Sequence, residues 1–402
     1  MTEIRKSIVF KKELGEFGSS AAKDSAKVTT GWCLFPMGTH FSFTAARQAE
    51  GIYGAGNKFR EAAAYGPFSG TWNLSFILDY DRLEPFEMIF ESVTYSKDNK
   101  TITFEKKNNS RVSHYAFRVK QMNRIAGGSV GSDEVTILTG CVAKQISISR
   151  SAQSSQATVE MNGSFANMET LLGKLNSTDY KSYPDDEEIA QYSCMFKGDA
   201  NDSNYVADVD AHTVSVENAI SYVYSTCKAF ASNYFEGRTT IQWSAQTYSN
   251  DPQKKFRLLP NSGGMDSTHL SPMCKGLKPM SKVKFVSFSG TVCKDDGAEN
   301  SEYNEKIAEA IKASKYSFDI ELYNSVVKSI TYSKGEGGKM SDSLSSVDCS
   351  GIKITVKRDK DKGDGKKLWG ETITSPDPTQ PSSSDGTITP PDPTLPSDGN
   401  QH

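Results

Sequence analysis

Between Trp72 and Lys357 the chain is dominated by stretches in which apolar and polar residues alternate one by one. Successive side chains of an extended strand point to opposite faces. A two-residue period therefore specifies strands with one face buried and the other turned to solvent or to a neighbour. The pattern is clearest in WNLSFIL (Trp72 to Leu78), TITFEKK (Thr101 to Lys107), HYAFRVK (His114 to Lys120), VTILTGCV (Val135 to Val142) and QISISRS (Gln145 to Ser151). It recurs in ATVEMNGSF (Ala157 to Phe165), HTVSVEN (His212 to Asn218), TTIQWSAQT (Thr239 to Thr247) and GIKITVK (Gly351 to Lys357), and almost as well in KVKFVSFSGTV (Lys282 to Val292) and YSFDIELYN (Tyr316 to Asn324). Helical spacing is confined to LEPFEMIFES (Leu83 to Ser92), NMETLLGKL (Asn167 to Leu175) and NSEYNEKIAEAIKAS (Asn300 to Ser314). In the last of these Tyr303, Ile307, Ala310 and Ile311 share a face. No strand alternates with a long helix in the rhythm of a parallel, doubly wound sheet. The expected fold over residues 1–357 is mainly β: an antiparallel sandwich or barrel with a few short helices.

After Lys357 the composition changes. KRDKDKGDGKK (Lys357 to Lys367) mixes both charges with glycine, and residues 358–371 read as a solvated hinge. TITSPDPTQP (Thr372 to Pro381) then recurs as TITPPDPTLP (Thr387 to Pro396), a segment holding seven of the fifteen prolines, so residues 372–402 are expected to be an extended tail and not a core.

Seven cysteines are scattered singly, with no CxxC pair, which signals neither a disulfide framework nor a zinc site and suits a reducing cytosol. The net charge of −3 provides no basic field for tight nucleic-acid binding. The opening apolar run, Ile8 to Phe10, is too short for a signal peptide, and no stretch approaches the ~18 apolar residues of a membrane span.

Candidate chemistry is sparse. SGGMDS (Ser262 to Ser267) resembles the pyrophosphate-binding loop of ATP pyrophosphatases, in which a buried parallel strand leads through the loop into a helix whose N–H groups meet the phosphates. Here Pro260-Asn261 precedes the string and Pro272 interrupts the segment before a helix can develop, so a glycine-rich turn is the reading its context favours. The histidines, His40, His114, His212, His269 and His402, form no ligand spacing. Asp185 to Glu188 lacks the calcium-loop spacing; Asp199, Asp202, Asp208 and Asp210 come closer but read as a solvated loop. The aromatic residues Tyr222, Tyr224, Phe230, Tyr234 and Phe235 could stack on sugars or bases, or pack at a core or subunit interface. No catalytic, cofactor-binding or metal-ligating residue is assigned.

The order of strands and loops over about residues 30–357 resembles the tail tube, or major tail, proteins of long-tailed bacteriophages and related viruses. Four segments carry the resemblance: GPFSGTWNLSFILDYDRLEPFEMIFE (Gly66 to Glu91), TGCVAKQISISRSAQSSQATVEMNGSFAN (Thr139 to Asn167), TVSVENAISYVYSTCKAFASNYFEGRTTIQWSAQT (Thr213 to Thr247) and YSFDIELYNSVVKSITYSKGEGGKMSDSLSSVDCSGIKITV (Tyr316 to Val356). Leu259 to Ser314 looks like an insertion, and the Pro-rich tail is a further departure. The resemblance implies a structural virion protein, made in the host cytoplasm, whose copies form stacked, hexameric rings. Its partners would be itself, other tail proteins and viral DNA passing through the lumen without sequence-specific contacts. The Gly/Ser loops around Asn123 to Asp133 and Leu259 to Pro279 are then candidate contacts between rings. Two other classes stay open: a β-sandwich adhesion module on a Pro/Ser/Thr stalk, and an ATP-using enzyme built on SGGMDS.

Overall fold

The computed structural model describes residues 8–13, 17–18, 32–36, 38–52, 55, 62–96, 100–106, 111–121, 134–151, 154, 156–172, 192–197, 205–225, 229–248, 280–289, 300–334, 340–346 and 348–358. In chain order the strands are β1 (Ile8–Lys12), β2 (Cys33–Leu34), β3 (His40–Ile52), β4 (Ala62–Ile77), β5 (Ser92–Tyr95), β6 (Thr101–Glu105), β7 (Tyr115–Gln121), β8 (Glu134–Arg150) and β9 (Ala157–Phe165). They continue as β10 (Asn167–Leu172), β11 (Tyr192–Lys197), β12 (Tyr205–Tyr224), β13 (Ala231–Tyr248), β14 (Met280–Phe288), β15 (Ser317–Ser325), β16 (Val327–Lys334), β17 (Met340–Ser346) and β18 (Gly351–Lys357). One α-helix, α1 (Asn300–Ala313), and a 3₁₀ turn (Glu84–Met88) complete the described elements.

Every strand pairing among the described residues is antiparallel. The main sheet runs β3-β4-β9-β8-β12-β13-β17-β16. A packing sheet runs β5-β6-β18-β15-β14-β11 and ends on the start of β12. A lateral sheet runs β2-β1-β7-β8-β10. β8 and β12 therefore each belong to two sheets and join all three. The fold is mainly antiparallel β, as the alternation requires, and among the described residues no barrel closes.

The inner face of the main sheet supplies one side of the core: Trp72, Leu74 and Phe76 from β4, Val159 and Met161 from β9, Ile146 and Ile148 from β8, Val214 and Val216 from β12, and Ile241 and Trp243 from β13. The packing sheet answers with Phe285, Phe318, Ile320, Ile354 and Val356, and the lateral sheet with Phe10 and Phe117. Trp243 meets Phe285 at 5.5 Å and Trp72 meets Phe117 at 5.0 Å, both edge-on, the favoured arrangement for aromatic quadrupoles.

Two glycines let these large rings lie close to the sheet. Gly70 stands opposite Phe165 and Gly163 opposite Trp72. A Cβ on Gly163 would fall 2.2 Å from the Val142 carbonyl oxygen and 2.5 Å from the indole. A third glycine turns the corner between sheets. Gly140, at φ +63°, marks where β8 leaves the lateral sheet, and its N–H donates to the Glu13 carboxylate at 3.0 Å. The Tyr222 hydroxyl donates to the Gly140 carbonyl at 2.8 Å. Burial, reinforced by Cys141, holds that phenol well above its ordinary pKa and keeps it a donor.

Over their described residues the alternating runs lie in strands apart from one or two residues at their ends, and VTILTGCV and QISISRS prove to be one strand, β8, bent at the corner. α1 forms where its apolar stripe places it, with Ile307 fully buried. Two helical expectations fail. Asn167–Leu172 is strand β10, because its backbone completes the ladder on β8 and weak intrinsic preference yields to that pairing. Leu83 to Ser92 yields only the 3₁₀ turn: Leu83, Phe86, Met88, Ile89 and Phe90 are all buried, leaving no polar face for a surface helix. Within 259–314, residues 259–279 lie outside the described residues, but β14 is an interior strand between β11 and β15 with Phe285 in the core. That part of the segment is structural.

Candidate functional site: the outer face of the main sheet

Alternation that fills the inner face with aromatic and branched residues must give the outer face the intervening positions, and here these are overwhelmingly small and polar. One row across the strands reads Thr158, Ser149, Thr213, Ser244, Ser345, Ser329, hydroxyl after hydroxyl. The next reads His40, Ser75, Glu160, Ser147, Ser215, Gln242, and the one beyond it Ser42, Asn73, Asn162, Gln145, Glu217, Thr240. Neighbouring strands lie ~4.8 Å apart, so such side chains can bond to each other across the sheet. The Asn162 amide donates to Gln145 at 2.9 Å, and the Ser329 and Ser345 hydroxyls lie 2.6 Å apart.

Charge on these rows is limited to Glu160 and Glu217, both exposed; no Lys or Arg occupies any position in them. The packing sheet shows that the chain can do otherwise. On its outward face Lys284 pairs with Asp319 at 2.7 Å and Lys282 with Glu321 at 3.0 Å, a cross-strand ionic ladder. These rows thus form a broad hydroxyl and amide surface of weakly negative sign on the outer face of the main sheet. Two shallow, open hollows of about 390 and 380 Å³ lie on it, the first lined by Ser42, Asn73, Gln145, Ser147, Glu160 and Asn162 and the second by Thr213, Ser244, Gln246, Thr331 and Ser343. Neither has a convergent set of catalytic groups.

The sheet ends on β3 at one side and β16 at the other, and among the described residues neither has a second strand partner. At one end of the strands two hairpin arms run on beyond the body of the sheet. β12 continues from Glu217, its last partner on β8, to Tyr224, held by β13. β4 reaches back from Gly70, its last partner on β9, to Ala62, held by β3. The antiparallel order puts both arms at the same end, and they touch: the Phe68 N–H donates to the Ala229 carbonyl at 2.7 Å, the Tyr224 hydroxyl to the Phe68 carbonyl at 2.8 Å.

The β12–β13 arm is also anchored inward. The Lys106 ammonium bridges Glu91 and Glu236, at 2.6 Å from the latter, and Glu236 accepts the Val112 N–H at 3.0 Å. The Arg111 guanidinium lies over the Tyr234 ring at 3.7 Å.

Of the residues singled out in the sequence, SGGMDS, Asp185 to Glu188, Asp199, Asp202, His269, His402 and the loops 123–133 and 259–279 lie outside the described residues. Asp208 and Asp210 fall on strand β12. His40 sits on the outer face at the β3 edge, His114 lies 3.6 Å from Glu13, and His212 is buried between sheets. Among the described residues no three His, Cys, Asp or Glu side chains gather to hold a metal ion. The aromatic set divides. Tyr222 and Tyr234 pack inward on Phe17, Phe230 lies against Phe68 at 5.4 Å, and Phe235 is 69 % exposed. The polar face itself was legible only as the unremarked half of each alternating run. No described helix is long and apolar enough to cross a membrane. No protein-family profile and no curated protein matches this chain.

Proposed function

We propose that this chain is a self-assembling structural subunit whose copies build a viral tail tube, with the outer face of the main sheet turned to the lumen. The observation that carries the reading is a set of three polar rows that hold no Lys or Arg, on a sheet whose two lateral edges are open among the described residues. A conduit for DNA must not hold phosphates, and retention grows with each cation that neutralises one. Hydroxyls and amides keep the wall wetted, while Glu160 and Glu217 repel the polyanion weakly.

The edges supply the assembly chemistry. Exposed strand edges invite pairing, and β3 and β16 are different surfaces on opposite sides of one sheet. A β3-to-β16 contact is head-to-tail and produces a ring when the rotation between copies closes. The first row runs from β9 to β16 and the other two from β3 to β13, so together they span the sheet and each added copy would extend the same wall.

Electron microscopy and sedimentation of the purified full chain over a range of concentrations test this. Rings or tubes are expected; a protein that stays monomeric and binds glycans would be an adhesion module instead. Proline placed in turn at Ala45 and Ala46 of β3 isolates the edge. Adjacent amides of an edge strand point to opposite sides, so one of the two variants removes an outward N–H while keeping the β4 ladder. That variant should remain folded and fail to form rings.

A further inference from the structure

The ionic ladder on the outward face of the packing sheet is built from two unlike carboxylates. Lys284 on β14 stands directly opposite Glu321 on β15, yet its ammonium reaches the diagonal neighbour Asp319, at 2.7 Å, while Lys282 takes Glu321 at 3.0 Å. Burial raises the pKa of Asp319 more than the Lys284 ammonium lowers it, and Glu321 adds to the rise. The Asp319 Oδ1 atom is buried and has no hydrogen-bond partner among the described residues, and the residue directly opposite on β14 is the buried Val286. Burial acts on Glu321 as well, but the Lys282 and Lys284 ammonium groups and the Tyr323 hydroxyl, which donates at 3.1 Å, outweigh it and hold this carboxyl below its ordinary range. A carboxyl that favours its neutral form, an amine in contact with it and a carboxylate that stays ionised therefore share one face.

We infer that Lys284 and Asp319 condense to an intramolecular amide that ties β14 to β15, with Glu321 receiving the proton that the amine gives up. The Glu321 carboxylate takes one proton from the Lys284 ammonium, and the neutral Nζ attacks Cγ of the protonated Asp319 carboxyl. The Nζ–Cγ bond forms, the bond from Cγ to one oxygen breaks, and that oxygen leaves as water with a second proton from nitrogen. Glu321 then returns its proton to solvent. Nothing is oxidised or reduced, and no further reactant is needed.

The Lys284–Asp319 pair is suited to this step and the Lys282–Glu321 pair beside it is not, because Glu321 is kept ionised and an ionised carboxylate is a poor electrophile. In free solution water opposes amide formation. Groups held in contact reach effective molarities of ~10⁵–10⁸ M, which reverses that balance, and both strands here are interior ones, β14 lying between β11 and β15 and β15 between β14 and β18. The reaction also replaces a poorly satisfied buried carboxyl with a neutral amide, which costs less to bury than a charge. The cross-link would close the chain from Lys284 to Asp319 around α1, and it depends on no assumption about how copies assemble.

Intact-mass spectrometry of the purified full chain, followed by tryptic mapping, tests this. The expected result is a species lighter than the sequence mass by one water, and a branched peptide joining the β14 and β15 segments at Lys284 and Asp319. Lys284→Arg keeps the positive charge but forms no such amide; with its fold checked by circular dichroism, it should show the full mass. Glu321→Gln should form the lighter species more slowly, by ~10²–10⁴-fold, the usual worth of a positioned proton acceptor. Wild-type protein that keeps its full mass after prolonged incubation in the folded state would overturn the inference. A loss of water that persists in Lys284→Arg would overturn it too, by placing the dehydration elsewhere, and formation at the wild-type rate in Glu321→Gln would refute the role given to Glu321.

Discussion

His212 should make this protein acid-labile in a defined window. It sits on β12 between the main and packing sheets, 4 % exposed, its imidazole stacked on Phe285 at 5.0 Å and 15°. Burial lowers its pKa from 6.5 to about 4, and Arg150, directly opposite on β8, adds to the effect. The folded state therefore resists a proton that the unfolded chain accepts. With the folded pKa below the unfolded one, stability is complete above pH 6.5 and falls as the pH drops towards 4. Each unit of pKa difference corresponds to ~1.4 kcal/mol, so the full effect is about 3 kcal/mol, of which about 2 is already lost at pH 5. Urea unfolding monitored by tryptophan emission, at pH 7.5 and pH 5.0 and at protein concentrations below assembly, measures it directly. His212→Gln will cost stability at both pH values through the lost stacking. The difference between the two pH values should shrink by about 2 kcal/mol relative to wild type, since all other titrating groups cancel in the comparison. An unchanged pH difference in the variant would refute the argument that burial of this imidazole sets the acid limit.

Gly163→Ala should cost more than ~3 kcal/mol in the same unfolding assay, because its Cβ has no space between the Val142 carbonyl and the Trp72 ring. Lys106→Met removes the ammonium that bridges Glu91 and Glu236, both largely buried; a loss of ~3–5 kcal/mol is expected, partly recovered by adding Glu236→Gln. Asp348→Ala removes the acceptor of the Ile241 N–H at 2.6 Å and of Arg238 at 2.6 Å, and should lower stability by ~1–3 kcal/mol as measured by denaturant midpoint. Ser147→Lys/Ser215→Lys puts two cations side by side on the polar face; assembled protein should then retain short DNA in a salt-sensitive manner in a filter-binding assay where wild type does not.

How far the fold and the polar face could be read in advance depends on the range of the forces involved. A strand such as β18 declares itself because Ile352, Ile354 and Val356 alternate with polar residues whatever lies next to them. β3 is harder: beyond Phe41 and Phe43 those of its side chains that are described are exposed on both faces, since an arm has little core to fill. β10 is misread as a helix because its apolar residues take their place from β8, a partner that local spacing does not reveal. The outer face escapes notice for a different reason. Each Ser or Thr on it is ordinary alone; the rows exist only once Thr158, Ser149, Thr213, Ser244, Ser345 and Ser329 are brought abreast.

Alternation along the chain is enough to establish that the protein is mainly β, where most strands run and which side of each is buried, because it is a property of the single extended strand. Three-dimensional packing settles which strands share a sheet, that β8 and β12 each pass from one sheet to another, and that both arms emerge at one end. Those facts depend on pairs as distant as Trp72 with Gly163 and Ser244 with Ser345, and the backbone hydrogen bonds that make them are the same for any sequence. Side-chain fit across the sheet selects the partner, as when an indole finds a glycine opposite, and that fit is visible only in three dimensions.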